Sequence, residues 1–279
     1  MSNFVPTKQV QQRYEPVVSL EDPRQRGLEE ETLAEVWAKS LPLMRPFLRR
    51  ASRLNQMDFE TALDEMVSLV CGNSGRVFKQ AFYRSQTKAR WARDDPAFFV
   101  LQAGFLIVAA VATGVALRAR KILTYLYFVF ASALLHWLLG GIFASTATSF
   151  LANRYLRKKR AETVEWLYAF DVHCNAFFVY FMIAYVLHYF LLPLALGPHF
   201  FNLIVANTLH ASAVAAYFYV THIGFCALPF LRHTEVFLYP ALAAALFLAL
   251  SILLALLFRF RINASILAFS ALIAPLPYY

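Results

Sequence analysis

The sequence predicts an all-α fold: a polytopic membrane protein with a bundle of five transmembrane helices, preceded by cytosolic amphipathic helices. Three observations predict it. Hydrophobic residues fill 59% of the 279 positions and charged residues only 15%, far from the balance of a soluble domain. Five stretches, 97–117, 122–151, 173–196, 202–231 and 236–258, are nearly free of charge, and each supplies the roughly 20 residues that cross a bilayer core as helix. These runs are too long and too continuous for the alternating strands of a barrel, and only helix satisfies every backbone N–H and C=O within one segment.

Residues 1–53 read as a polar, partly disordered cytosolic region. They carry no short apolar core of a cleavable signal, so the first span itself is expected to direct insertion. A helical pattern over 28–48 is interrupted at Pro42 and Pro46. The juxtamembrane segment, 54–96, contains MDFETALDEMVSLVCG, with Phe59, Ala62, Leu63, Met66, Val67 and Val70 at helical spacing. Asp58, Glu60, Asp64 and Glu65 flank that stripe, which predicts an amphipathic helix ending near Gly72. Its acidic face does not suit an anionic lipid surface, so packing against the protein itself or a partner is expected.

At WARDDPAFF the chain changes from charged to apolar within a few residues. Asp95 suits an N-cap and Pro96 the first helical position, while Asp94 and Asp95 favour the positive end of the helix dipole. Trp91 suits the headgroup level, and Arg90 and Arg93 hold this end in the cytosol. The segment therefore reads as a helix start at a membrane surface. The bundle then occupies 97–258, and 259–279 forms a short apolar tail stopped by Pro275 and Pro277, lumenal or interfacial rather than a sixth span.

Charge sets the expected orientation. Lys79, Arg84, Lys88, Arg90 and Arg93 precede the first span, Arg154, Arg157, Lys158, Lys159 and Arg160 follow the second, and Arg232 follows the fourth. The opposite side holds Arg118, Arg120, Lys121, Arg259 and Arg261. The positive-inside bias places the N-terminus in the cytosol and the C-terminus in the lumen. The net charge of +9 is explained by that clustering rather than by nucleic acid. Asn263-Ala264-Ser265 matches a glycosylation sequon too close to the membrane to be used, and Cys226 is a palmitoylation candidate.

Ionisable groups inside spans are functional candidates. Asp171 and Asn175 share a helix face, whereas His173 points roughly 200° from Asp171, at about 100° per residue, so the pair cannot chelate one ion. A metal would need ligands from other helices, such as His136 or His210; no metal or other cofactor is expected. In the fourth span Asn207, His210, Tyr217 and Thr221 share an arc, which reads either as interhelical hydrogen-bonding glue or as the lining of a cavity. Small residues, Ala110 and Gly114, Ser132 and Gly140, and Ala241, Ala245 and Ala249, recur at helical spacing. No nucleophile elbow, phosphate loop, HExxH or CxxC is present, and the chain is not expected to be an enzyme.

Several blocks in order, NQMDFE at 55–60, QTKARWARDDPAFF at 86–99, VEWLYAFDVHCNAF at 164–177, NTL at 207–209 and ALPFL at 227–231, resemble the Unc-fifty family of Golgi multispanning, GMH-like proteins. His210 stands where the family pattern carries an aromatic residue. The resemblance implies a Golgi membrane adaptor in vesicular trafficking that helps recruit Arf guanine-nucleotide exchange factors and supports transport of cell-surface receptors. It raises a docking role for Gln86, Lys88, Trp91, Arg93, Asp94 and Asp95 together with Arg157 and Lys158, and marks Asp171, His173 and Asn175 as part of a shared scaffold. No RNA-recognition motif is visible and RNA binding is not expected. The alternative is a small ion, proton or lipid transporter using the polar face of spans three and four.

Overall fold

The structure, a computed structural model, describes residues 42, 44–88, 90–158, 162–259 and 262–273. The expected disorder over 1–27, most of the helical pattern over 28–48, and Pro275 and Pro277 lie outside the described residues. Among the described residues the chain is helical, and the one β-type pairing is an isolated antiparallel bridge between Arg157 and Leu231.

The described residues 44–51 are helical, Pro46 among them. Helix α1, Phe59–Val70, starts at Asp58, whose carboxylate accepts from the Thr61 N–H and hydroxyl. It ends at Gly72, whose φ of +76° turns the chain as only glycine does without strain. Helix α2, Ser74–Lys88, follows. The buried side of α1 differs from the sequence stripe: Ala62, Met66 and Leu69 face inward with Glu65, while Leu63, Val67 and Val70 stay exposed. Glu65 is drawn inward because an arginine awaits it there, and that rotates the helix about its axis. Leu63, Val67 and Val70 instead line an apolar groove beside Phe105 and Val108 of the first span.

Five helices are long and apolar enough to cross a membrane: α3, Ala97–Ala116; α4, Ile122–Leu156; α5, Trp166–Phe190; α6, Phe200–Cys226; and α7, Thr234–Phe258. The protein is a multi-pass membrane protein. The N-cap of α3 is Pro96, one residue later than the sequence suggests. Asp95 still serves this end, its Oδ1 accepting from the Ala97 N–H at 3.0 Å. Helix α4 outruns its expected end at residue 151; its 35 residues extend about 52 Å, well beyond a core of about 30 Å. Its turns at Phe130–Leu139 and Ala152–Leu156 are wound as π-helix, as is Met182–Leu187 in α5.

Helix α5 is the axis of the bundle, with 56% of its most apolar stretch buried, against 11% for the peripheral α7. It begins at Trp166, earlier than the hydropathy edge at residue 173, so Asp171 lies inside the helix. Helix α7 meets the bundle through Ser251 and Ala255; Ala245 and Ala249 of its small-residue stripe face outward. Gly114 lets the Tyr125 ring approach, and Gly141, next to the Gly140 singled out by spacing, does the same for His173. The tail forms α8, Ala264–Ile273, tied to α6.

Candidate functional site

Where α1 and α2 meet the bundle, Arg93 is 8% exposed and reaches into a cluster of acids. Its Nη2 lies 3.0 Å from Glu65 Oε2 and donates to Asn175 Oδ1 at 2.7 Å. Its Nε is 3.2 Å from Asp171 Oδ1, an ion contact without hydrogen-bond alignment. Arg84 of α2 approaches the other oxygen of Asp171 at 3.6 Å, and the Phe98 ring lies 4.4 Å beneath the Arg93 guanidinium. Two arginines thus face two carboxylates, which is what allows Arg93 and Glu65 to be buried beside the half-buried Arg84 and Asp171. Burial pushes the Glu65 carboxyl above the ordinary range, and the Arg93 charge opposes the shift.

The WARDDP turn is built around this cluster. Trp91 is 2% exposed, enclosed by Phe82, Tyr168 and Phe230 with ring centroids 5.9–6.2 Å apart, rather than lying at a headgroup surface. Its backbone and indole N–H groups face Glu165 and Glu162. Asp94 accepts from Lys88 at 2.8 Å and Arg90 at 3.2 Å; burial acts to raise its carboxyl, but these cations, Lys88 foremost, hold it below the ordinary range. Asp95 Oδ2 accepts from the Asp58 N–H, joining the turn to the start of α1. Two loops close the same end. The Lys158 N–H donates to the Phe230 carbonyl, the Arg232 N–H to the Leu156 carbonyl, and Lys158 Nζ to Pro229.

The sequence-derived docking residues therefore divide. Trp91 and Arg93 are enclosed, Asp95 and Lys158 hold internal bonds, and Arg157 pairs with Leu231. Gln86 and Lys88 are exposed and Asp94 is half-buried. Asp171 and Asn175 meet on one cation, as their shared face suggests. Sequence reasoning missed Glu65 and Arg84 as members. The available signal was Asp171 itself, since an acid within a span calls for a cation from a neighbouring segment.

His173 is held apart from that cluster. Its Nδ1 lies 2.8 Å from the Tyr217 hydroxyl and its Nε2 3.2 Å from the Trp137 carbonyl. Toward the other end of the bundle, Asn207 donates to Ser251 Oγ and the Ile262 carbonyl and accepts from the Ala264 N–H, so it pins α8. Asn263 is buried, its Nδ2 donating to the Ala195 carbonyl, which leaves no space for a glycan. His210 comes within 5.2 Å of the His188 ring, a pair that helical angles on α5 alone could not reveal. Both line a cavity of about 380 Å³ with His136, Tyr185 and Ser132. Among the described residues no group of three or more His, Cys, Asp or Glu side chains is placed to hold a metal ion.

A model of the UNC-50 family matches residues 47–271. The chain is similar to the protein unc-50 homolog of Dictyostelium discoideum, 38% identical over 203 residues that cover 71% of this chain and 77% of that one. It is also similar to the homolog of Rattus norvegicus, 41% identical with 70% and 75% covered, and to that of Homo sapiens, 39% identical with 75% and 81% covered. No solved structure matches. The matched residues take in the charge cluster, the turn that encloses it and all five spans, and the chain belongs to the UNC-50 family.

Proposed function

We propose that the protein is a non-enzymatic Golgi membrane adaptor whose α1/α2 end faces the cytosol and helps recruit an Arf guanine-nucleotide exchange factor, supporting transport of cell-surface receptors. The observation that carries this reading is the construction of that end. Ion pairs, the Trp91 aromatic cluster and two stitched loops hold a polar rim in fixed geometry on the bundle. Rigid presentation of a surface lowers the ordering cost of binding a partner. The enclosed Trp91 and Arg93 build the platform, and exposed side chains such as Gln86 and Lys88 meet the partner.

The test is the membrane-bound fraction of the exchange factor in cells lacking this protein. Restoring the wild-type chain should restore that fraction, and a Gln86→Glu, Lys88→Glu chain that folds and localises normally should not. An unchanged fraction in all three conditions refutes recruitment.

A second reading, a small ion, proton or lipid transporter, is favoured by the histidine cavity. Its lining includes neither Asp171 nor His173, which argues against one path along spans three and four. Purified protein in vesicles should then show no proton flux sensitive to His210→Leu; a flux lost on that substitution would revive this reading.

A further inference from the structure

Beside the charge cluster lies a second cavity of about 370 Å³, lined by Arg93 but not by Glu65. Its wall is made by the helical segment over 44–51, the residues that follow it and the WARDDP turn. Arg49, Arg50, Arg53, Arg90 and Arg93 line it, and Asp94 is the one acid among its described lining residues. Asp94 is already engaged by Lys88 and Arg90, while Arg50 Nη1 donates to its backbone carbonyl. Arg93 is answered by Glu65 and Asp171 and Arg90 by Asp94, so the cationic excess of this wall comes from Arg49, Arg50 and Arg53.

Two of the guanidinium groups hold donors with nothing to bond. Arg93, more than nine-tenths buried, has an Nη1 without a hydrogen-bond partner among the described residues, and Arg90 has an Nε in the same condition. A buried donor left unbonded costs about 1–3 kcal/mol, more when charged; neither atom opens onto the cavity, whose cationic wall is supplied by the exposed Arg49, Arg50 and Arg53. Guanidinium forks match phosphate oxygens in geometry as well as charge. A neighbouring cavity supplies a control within the molecule. It shares Arg50 and Arg93 but includes Asp58, Glu65 and Asp95 as well as Asp94, and its charges balance.

Position narrows the class of anion. Arg93 stands four residues before the first residue of α3, the first apolar span. Phe47 and Leu167 give the cavity an apolar side, and Phe47 packs edge-on against Phe99 of α3 at 6.1 Å. A ligand with a phosphate at one end and hydrocarbon at the other fits both walls. The volume falls in the range of small-ligand sites.

We propose that this arginine-walled cavity binds the phosphomonoester headgroup of an anionic membrane lipid, of the phosphorylated-inositol class. The site is independent of exchange-factor recruitment, since binding is read on the purified chain alone.

The experiment uses the full chain in phosphatidylcholine nanodiscs, titrated with dioctanoyl phosphatidylinositol 4,5-bisphosphate. Saturable one-to-one binding is expected, and Arg49→Ala with Arg53→Ala should weaken it at least tenfold. Both side chains are exposed, so the double variant should keep its unfolding midpoint. Arg49→Lys with Arg53→Lys should fall between, because charge remains and the fork is lost. Dioctanoyl phosphatidylserine should bind at least tenfold more weakly than the bisphosphate. Soluble inositol 1,4,5-trisphosphate should also bind more weakly; equal, arginine-dependent binding would overturn the lipid assignment and make the ligand a soluble phosphate. Equal binding of phosphatidylserine would overturn the phosphomonoester assignment. Absence of saturable binding, or binding indifferent to both double variants, would overturn the site itself.

Discussion

The two ends of the bundle solve the same problem with different chemistry. At the α1/α2 end, polar groups are charged and cancel in pairs around Arg93. At the α8 end they are neutral: the amides of Asn207 and Asn263 tie the tail to the bundle, and imidazoles and hydroxyls line a cavity. Charges can be buried only when each finds its opposite, so the first end tolerates no missing member. Neutral groups are less costly to leave partly bonded, so the second end can keep an open volume.

The sharpest way to break this contrast is Arg93→Met, which strands Glu65 and leaves Asp171 to Arg84 alone. It should destabilise by about 3–5 kcal/mol, read from unfolding in a denaturant titration of the detergent-solubilised protein. Adding Asp171→Asn should recover part of that loss, as expected of coupled partners.

At the neutral end, Asn207→Leu removes three hydrogen bonds and should cost roughly 2 kcal/mol. Amide exchange over 262–273 should rise, with little change in α1 and α2. Equal loosening at both ends would mean that they are one cooperative unit.

Between the ends, Gly141→Ala places a methyl group against the His173 ring, which two polar contacts hold in place. A cost of about 1–2 kcal/mol is expected, and Gly140→Ala, with only a distant carbonyl near its added carbon, should cost less.

The smallest effect concerns pH. Glu65 is raised above its ordinary 4.5, so its contribution is full below that value and declines as pH rises toward the folded-state value. Asp94 runs the other way: held below 3.8, its ion pairs contribute above that value and are lost as pH falls through the lower one. Glu65→Gln should flatten the decline above pH 4.5 and leave the acid limb intact, as read from unfolding midpoints across pH.

The five spans were legible because hydropathy is local and bilayer thickness fixes their length. The α1 helix was legible too, with its stop near Gly72. Its rotation was not, because Glu65 turns inward only when a cation from a turn 28 residues away is present. Likewise Asp171 and Asn175 could be placed on one face, yet nothing in the spacing says that Arg93 bridges them. Trp91 reads as a headgroup anchor until the 227–231 segment brings Phe230 over it. What sequence periodicity lacks in each case is the third element, which comes from elsewhere in the chain.

The joining of Arg93 to Asp171 also sets an order of assembly. Residues 59–93 leave the ribosome before the five spans, but Asp171 and Tyr168, which pack against Arg93 and Trp91, arrive only with α5. The segment made first is therefore completed among the last, and until α5 is inserted it offers Glu65, Arg93 and Trp91 to whatever else is near. A nascent chain halted after α4 should leave α1 and α2 open to protease, while one released after α7 should protect them.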